Sequence, residues 1–323
     1  MNAATRLQTL LDQPRLHVMP GVFDALSAKL AREAGHEVLF MTGFGVSAVR
    51  LGLPDAGLIS MGEMLDQLRG CLAAADGVPL IGDGDTGWGN ALNVKRAVAE
   101  FARAGAAAIM LEDQASPKKC GHTKGKQVVS RSEARLKIRA ACQARDALRA
   151  SGQGDILILA RSDARAVNGF DDAVARCQDF ADAGADILFL EAPERAVEMR
   201  AFCASVKKPC MANMVFQGKT PVLPPGELQA LGYRLAVYPV AALAGLIASL
   251  RQPTQPSCRV RTWRIQHSSI FPACKKPWVF RRTGKTRKNT RTNSQSSSLL
   301  VNVLLVTSTG GSKMSGALGP AAS

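Results

Sequence analysis

The sequence predicts an α/β chain: a (β/α)8 barrel of the TIM type over residues 1–254, followed by a basic, disordered tail over 255–323. Three observations predict it. Short apolar runs alternate eight times with amphipathic stretches. The runs are apolar on both faces, as strands of a buried parallel sheet are. Polar residues recur at their C-terminal ends, the rim on which barrel enzymes carry their sites. A doubly wound open sheet would gather such residues at one switch point instead of after six strands.

Taken in order, the runs place strands near 17–20, 38–42, 79–83, 107–112, 155–161, 186–191, 209–213 and 235–238. The amphipathic stretches place helices near 23–34, 61–75, 92–104, 131–150, 171–183, 195–205, 225–231 and 240–250. Ser60, Asn90, Ser130 (with Glu133 three residues on) and Asp171 stand where N-caps are needed. Gly35, Gly105, Gly184 and Gly232 each follow a helical stretch and precede an apolar run. Glycine takes the left-handed conformation that ends a helix without a Cβ clash. Residues 1–17 are mildly amphipathic, and no element is predicted before the first strand.

The net charge of +15 belongs to one end of the chain. Residues 251–323 hold 13 of the 41 Lys and Arg and no Asp or Glu, leaving 28 basic against 26 acidic residues in the body. The tail's Ser, Thr, Gln and Asn tracts cannot bury enough apolar surface to offset ordering entropy, so disorder is expected. A nucleic-acid role for it has little support, because few aromatics interleave the basic residues. The eight cysteines form no CxxC and no Cys/His pair at zinc spacing, so reduced thiols of an intracellular protein are expected. The N-terminus lacks the features of a signal or transit peptide, and no apolar run approaches the ~20 residues of a spanning helix. A cytoplasmic protein with no membrane partner is the expectation. Neither GxGxxG nor GxxxxGK[ST] occurs, which gives no support to dinucleotide or P-loop binding. No lysine ends a predicted strand, which counts against a Schiff-base aldolase.

Two groups of residues carry chemistry. Asp83 and Asp85 are two apart at the end of the third predicted strand, so they face one side, among Gly82, Gly84 and Gly87. The same pattern suits an Asp/Gly-rich turn. With Glu112 at the end of the next strand, however, three convergent carboxylates would raise one another's pKa unless a cation joined them. Hard oxygen donors of this kind suit Mg²⁺ or Mn²⁺. The second group is Lys118-Lys119-Cys120-Gly121-His122, a thiol with cations beside it in sequence, which favour thiolate and so an acid/base role. The other five body cysteines lie in apolar stretches and read as packing residues. Arg161 ends the fifth strand as a fork for a substrate carboxylate, or else pairs with Asp163 or Glu191.

Around these residues the sequence resembles the isocitrate lyase/phosphoenolpyruvate mutase superfamily over about residues 15–250. The resemblance is carried by Pro20-Gly21-Val22-Phe23-Asp24-Ala25, Leu53-Pro54-Asp55, Asp83-Gly84-Asp85-Thr86-Gly87, Leu111-Glu112-Asp113-Gln114, Pro117 to His122 and Ala160-Arg161-Ser162-Asp163-Ala164-Arg165. Gly89 to Val94 and Gly125-Lys126-Gln127-Val128 are similar to the branch of methylisocitrate lyases, dimethylmalate lyases and petal death proteins. The resemblance implies a Mg²⁺-dependent carbon–carbon lyase of small 2-hydroxy di- or tricarboxylates, active as a homo-oligomer, a tetramer in the family. It implies that Asp83, Asp85 and Glu112 surround the metal with Asp55 nearby. Thr42, Gly43 and Phe44 would hold the α-keto acid portion, with Gly121 also at the substrate. His122, Arg161, Glu191 and Asn213 would contact substrate oxygens, and Cys120 would give a proton to the carbanion from a loop that closes over the site. Oxaloacetate hydrolysis or decarboxylation, or phosphoryl transfer between carboxyphosphonates, would use the same barrel. An inactive relative is a further reading.

Three departures stand out. Asn213-Met214-Val215-Phe216 replaces the Asn-x-x-Glu frequent in relatives, and Thr42 and Phe44 replace serine and glycine. The basic tail also stands where the family continues in helices exchanged between subunits.

Overall fold

The computed structural model describes residues 1–121 and 125–251. His122 and the tail from 252 onward, including the predicted boundary at 254/255, lie outside the described residues. Eight parallel strands close into a barrel in chain order: β1 (His17–Val22), β2 (Leu39–Met41), β3 (Leu80–Asp83), β4 (Ala108–Glu112), β5 (Leu157–Ser162), β6 (Ile187–Leu190), β7 (Cys210–Asn213) and β8 (Leu235–Tyr238). β8 pairs back onto β1 through Val18 and Ala236. The predicted barrel is the observed fold, with each strand within two residues of its expected place.

Around the barrel run α2 (Ala25–Glu33), α4 (Met61–Ala75), α5 (Ala91–Ala104), α6 (Arg131–Ala150), α7 (Phe170–Asp182), α8 (Ala196–Ser205), α9 (Pro225–Leu231) and α10 (Ala241–Arg251). Ser60 and Asn90 cap α4 and α5 in reciprocal boxes with Glu63 and Asn93, as expected of those residue types. Ser130 Oγ accepts from the Glu133 N–H at 3.2 Å. Asp171 is not a cap. Helix α7 begins two residues sooner, after Gly169 in the left-handed region (φ 99°), and Asp171 and Asp172 sit in its first turn. There their charges face the positive end of the helix dipole.

An N-terminal helix and the helical turns between β2 and α4 have no counterpart in the sequence reading. Helix α1 (Ala3–Leu11), capped by Asn2, buries Ala4, Leu7 and Leu11 against the same cluster as the inward side chains Met19, Phe40, Ile81 and Leu157. It plugs the N-terminal mouth of the barrel. Between β2 and α4 the chain makes the short helix α3 (Gly43–Val46) and a π-helical turn, Ser47–Leu51.

Strand parity positions the site. Ile81, Met110, Leu159, Phe189 and Met211 all belong to the barrel-interior cluster. Successive side chains of a strand alternate, so the residues two further on share that face. These are Asp83, Glu112, Arg161, Glu191 and Asn213. The interior is therefore apolar up to one level and charged at the next, at the C-terminal rim. Helices cover the outside through a second cluster that includes Leu68, Phe101, Ile138, Phe180 and Phe202. No described helix is long and apolar enough to cross a membrane.

Candidate active site

The rim is dominated by buried charge. Asp83 is held by backbone donors: the Gly43 N–H donates to Oδ2 at 2.9 Å and the Asp85 N–H to Oδ1 at 3.0 Å. Asp85 follows in a left-handed conformation (φ 47°) that a non-glycine residue adopts only where its surroundings impose it. Gly84, between them, has no room for a side chain, since a Cβ would stand 2.6 Å from the Met110 carbonyl oxygen. The chain thus threads between β3 and β4 while directing both carboxylates inward.

Lys118 reaches this group from the loop after β4. Its Nζ lies 2.7 Å from Asp85 Oδ1 and 2.7 Å from Asp55 Oδ1. One buried ammonium therefore joins the two carboxylates by short charge-assisted contacts. Burial pushes the Asp85 carboxyl up to about 7 despite the Lys118 charge, with Asp83 and Asp55 adding to the rise. Burial likewise pushes Glu112 well above the carboxylate range, and its Oε1 has no hydrogen-bond partner. Among the described residues no three His, Cys, Asp or Glu are disposed to enclose an ion. Asp83, Asp85, Glu112 and Asp55 are nevertheless brought to one rim.

Arg161 is the second hub. Its Nε and Nη2 donate to Asp163 Oδ2 and Oδ1 at 2.8 and 2.9 Å. Nη2 also lies 3.1 Å from Glu191 Oε2, and Nε lies 3.3 Å from Glu112 Oε2, its register partner across β4 and β5. Below, the guanidinium rests over the Phe189 ring, 5.2 Å from its centroid. The ion pairs with Asp163 and Glu191 that the sequence left as one of two readings are both present. Asn213 Nδ2 donates to the Glu191 carboxylate at 3.2 and 3.4 Å, while its Oδ1 is buried without a donor. Burial opposes ionisation of Asp163, but Arg161 and Lys126 outweigh it and hold that carboxyl well below its usual range.

The loop carrying Cys120 is tied down at both ends. Val129 N–H donates to the Asp113 carbonyl, Ala115 N–H to the Gln127 carbonyl, and Gln114 bridges to Val128. Gln114 also clasps Lys119, accepting from its N–H at 3.0 Å and donating to its carbonyl at 2.9 Å. Gly121 lies so close to the second hub that a Cβ would stand 2.3 Å from Arg161 Nη2 and 2.8 Å from Glu191 Cδ. The Cys120–Gly121 peptide therefore lies at the barrel mouth. The two ammonium groups next to Cys120 in sequence are engaged elsewhere: Lys118 at the aspartates, and Lys119 Nζ on the Gly125 carbonyl at 3.0 Å. Cys120 is half-buried, whereas Cys71, Cys142, Cys177 and Cys210 are buried. Burial raises the Cys71 and Cys142 thiols to about 12 and about 11, which makes them inert packing groups.

Thr42 and Gly43 are buried beside Asp83, where Thr42 caps α3, and Phe44 packs half-buried on the outer core. Sequence reasoning missed roles for Lys126, Asp113 and Gln114. Asp113 accepts from Ser162 Oγ at 2.8 Å and from the Asp163 N–H at 2.7 Å, and so orients the start of the β5 loop. Their signal was adjacency to residues already singled out. Asp113 and Lys126 meet the β5 loop at Asp163, 50 and 37 residues away, whereas Gln114 meets Lys119 five residues on.

A model of the family described as phosphoenolpyruvate phosphomutase matches residues 7–255. The chain belongs to the phosphoenolpyruvate mutase/isocitrate lyase superfamily. Within that superfamily it is 44% identical over 243 residues to 2,3-dimethylmalate lyase of Eubacterium barkeri, covering 75% of this chain and 82% of that protein. It is 43% identical over 244 residues to 2-methylisocitrate lyase of Aeropyrum pernix, covering 75% and 76%. Among solved structures, oxaloacetate acetylhydrolase with 3,3-difluorooxalacetate superposes with a TM-score of 0.77 at 35% identity, covering 84% of this chain and 93% of that one. Phosphonopyruvate hydrolase with oxalate and Mg²⁺ superposes with a TM-score of 0.67 at 32% identity, covering 78% and 85%. The two relatives named first are lyases, which supports an enzyme of the carbon–carbon lyase class.

Proposed function

We propose that this superfamily member is a Mg²⁺- or Mn²⁺-dependent lyase that splits a small 2-hydroxy di- or tricarboxylate, of the alkylmalate or methylisocitrate type, into a keto acid and a carboxylate. The observation that carries the reading is the seat of the Cys120–Gly121 peptide against Arg161 and Glu191, on the rim that also holds Asp83, Asp85 and Glu112. The residues fit a divalent cation: hard oxygen donors, Glu112 Oε1 buried without a partner, and Asp85 raised by burial that Lys118 only partly offsets. Asp83, Asp85 and Glu112 would hold it, with Asp55 nearby. Bound there, the cation supplies Lewis-acid polarisation of the substrate's hydroxyl and keto oxygens.

The chain's own groups do the rest. The hydroxyl gives its proton to a carboxylate of the rim, the adjacent C–C bond breaks with its electrons passing to the carbon bearing the departing carboxylate, and the proton held by the rim afterwards restores the thiol. Cys120 delivers its thiol proton to that carbon. A donor of this kind must enter the step with its proton in place. Arg161, Asn213 and His122 contact the substrate's carboxylate and hydroxyl oxygens, with Glu191 fixing the first two. Thr42, Gly43, Phe44 and Gly121 shape the keto-acid end. A homo-oligomer is part of the same reading.

The test is to incubate the protein with Mg²⁺ and 2,3-dimethylmalate, 2-methylisocitrate, isocitrate or oxaloacetate, trapping released keto acid as its hydrazone. Keto acid from a hydroxy acid supports the lyase. Turnover of oxaloacetate alone replaces it with hydrolysis, the reading favoured by the likeness to oxaloacetate acetylhydrolase. No turnover of any of them ends the proposal.

A further inference from the structure

Lys126 is a buried ammonium that the lyase reading does not use. Its side chain is 2% exposed. A buried lysine is retained only where partners replace its water. Among the described residues there are two: Lys126 Nζ donates to the Gly121 carbonyl and, at 2.8 Å, to Asp163 Oδ1. The same Oδ1 accepts from Arg161 Nη2 at 2.9 Å, and that nitrogen lies 3.1 Å from Glu191. A continuous charged chain therefore runs from the Gly121 carbonyl through Lys126, Asp163 and Arg161 to Glu191.

Gly121 meets this chain twice. Its carbonyl is held by Lys126, and its Cα leaves no room for a Cβ beside Arg161 and Glu191. Gln114 fixes the preceding peptide from the other side through Lys119. Without the ammonium, Asp163 keeps its two-pronged bond to Arg161 and the rim stays paired. Asp163 loses one of its donors, whereas the Gly121 carbonyl loses its charge-assisted donor, the stronger class of hydrogen bond.

We propose that Lys126 is a positioning residue, which fixes the Cys120–Gly121 peptide over the barrel mouth by joining the Gly121 carbonyl to the Asp163–Arg161 pair. Its consequence for turnover rests on the lyase reading; its hold on the peptide does not. Lys126 touches no reacting atom and acts through the placement of Cys120.

The experiment uses the full chain with Mg²⁺ and compares wild type, Lys126→Met and Lys126→Arg. Iodoacetamide modification is followed by mass spectrometry of the Cys120 and Cys71 peptides, alongside kcat and KM. Loss of one charge-assisted bond is expected to speed Cys120 modification about tenfold in Lys126→Met. Cys71 should stay unreactive, and Lys126→Arg should recover most of the wild-type behaviour. On the substrate that wild type turns over, kcat should fall about tenfold with KM changed less than threefold. Cys120 modified at the wild-type rate in Lys126→Met overturns the proposal. So does a parallel rise of Cys71 and Cys120 in both variants, which would make Lys126 a general stabiliser. If wild type releases no keto acid while the Cys120 contrast persists, the lyase reading fails and the positioning role stands.

Discussion

Arg161 and Asp163 are joined by two hydrogen bonds, 2.8 and 2.9 Å long, inside the barrel rim. The guanidinium is thereby fixed in the plane that also meets Glu191 and Glu112. A side chain read from sequence as a substrate fork is first a structural hub, and any substrate carboxylate meets it already oriented.

Asp163 sets an acid limit on stability. Its carboxyl lies below the usual range when folded, so its contribution is complete above the unfolded value of about 3.9 and declines as pH falls from there. Asp163→Asn is expected to cost about 3–5 kcal/mol at pH 7, because it leaves Arg161 and Lys126 buried with less counter-charge. Urea unfolding between pH 3 and 7 should show the gap from wild type shrinking below about pH 4. A constant gap would contradict this account.

Gly121→Ala places a Cβ 2.3 Å from Arg161 Nη2, so the Cys120 peptide must lift. A displacement of that order costs roughly 100-fold in turnover. Thermal unfolding should change little, since the segment bears on the rim and not on the core. Wild-type turnover by this variant would show that the peptide's seat is irrelevant to catalysis.

Cys120→Ser is expected to abolish C–C cleavage while leaving binding of a keto acid nearly unchanged, as read by calorimetric titration. A hydroxyl fills nearly the same space but is a far weaker acid than a thiol. Normal cleavage by the serine variant removes Cys120 as the donor.

Removal of metal should silence the enzyme. EDTA is expected to abolish activity and Mg²⁺ to restore it, and in calorimetric unfolding Mg²⁺ at about 100 times its Kd should add about 2.7 kcal/mol. Glu112→Gln should lose most of that stabilisation. Equal stabilisation in both proteins would place the ion elsewhere.

Leu7→Ala tests the plug at the opposite mouth. Leu7 is fully buried in the interior cluster, so truncation should cost about 2–5 kcal/mol. KM should not move, because α1 lies at the far end of the barrel from the rim. A large change in KM would mean that α1 communicates with the site.

The barrel itself was legible in the sequence. Apolar runs such as Val38 to Met41 and helix-ending glycines such as Gly105 are local signals, and strand parity then assigns Asp83, Glu112 and Arg161 to one face. Helix α1 was not legible, because only Ala4, Leu7 and Leu11 of its nine residues are buried and their partners lie in strands far along the chain. The Asp171 assignment failed because Gly169 lets the helix begin sooner.

The sequence by itself determined which residues reach the C-terminal rim, since period-two alternation and strand order are properties of the chain. Only the tertiary structure decided how their charges pair. Lys118 is next to Lys119 in sequence, yet one ammonium meets Asp55 and Asp85 while the other meets the Gly125 carbonyl. Lys126 and Asp163 are 37 residues apart and form a buried pair. Coulomb energies depend on separation and burial, which loop closure fixes and sequence spacing does not.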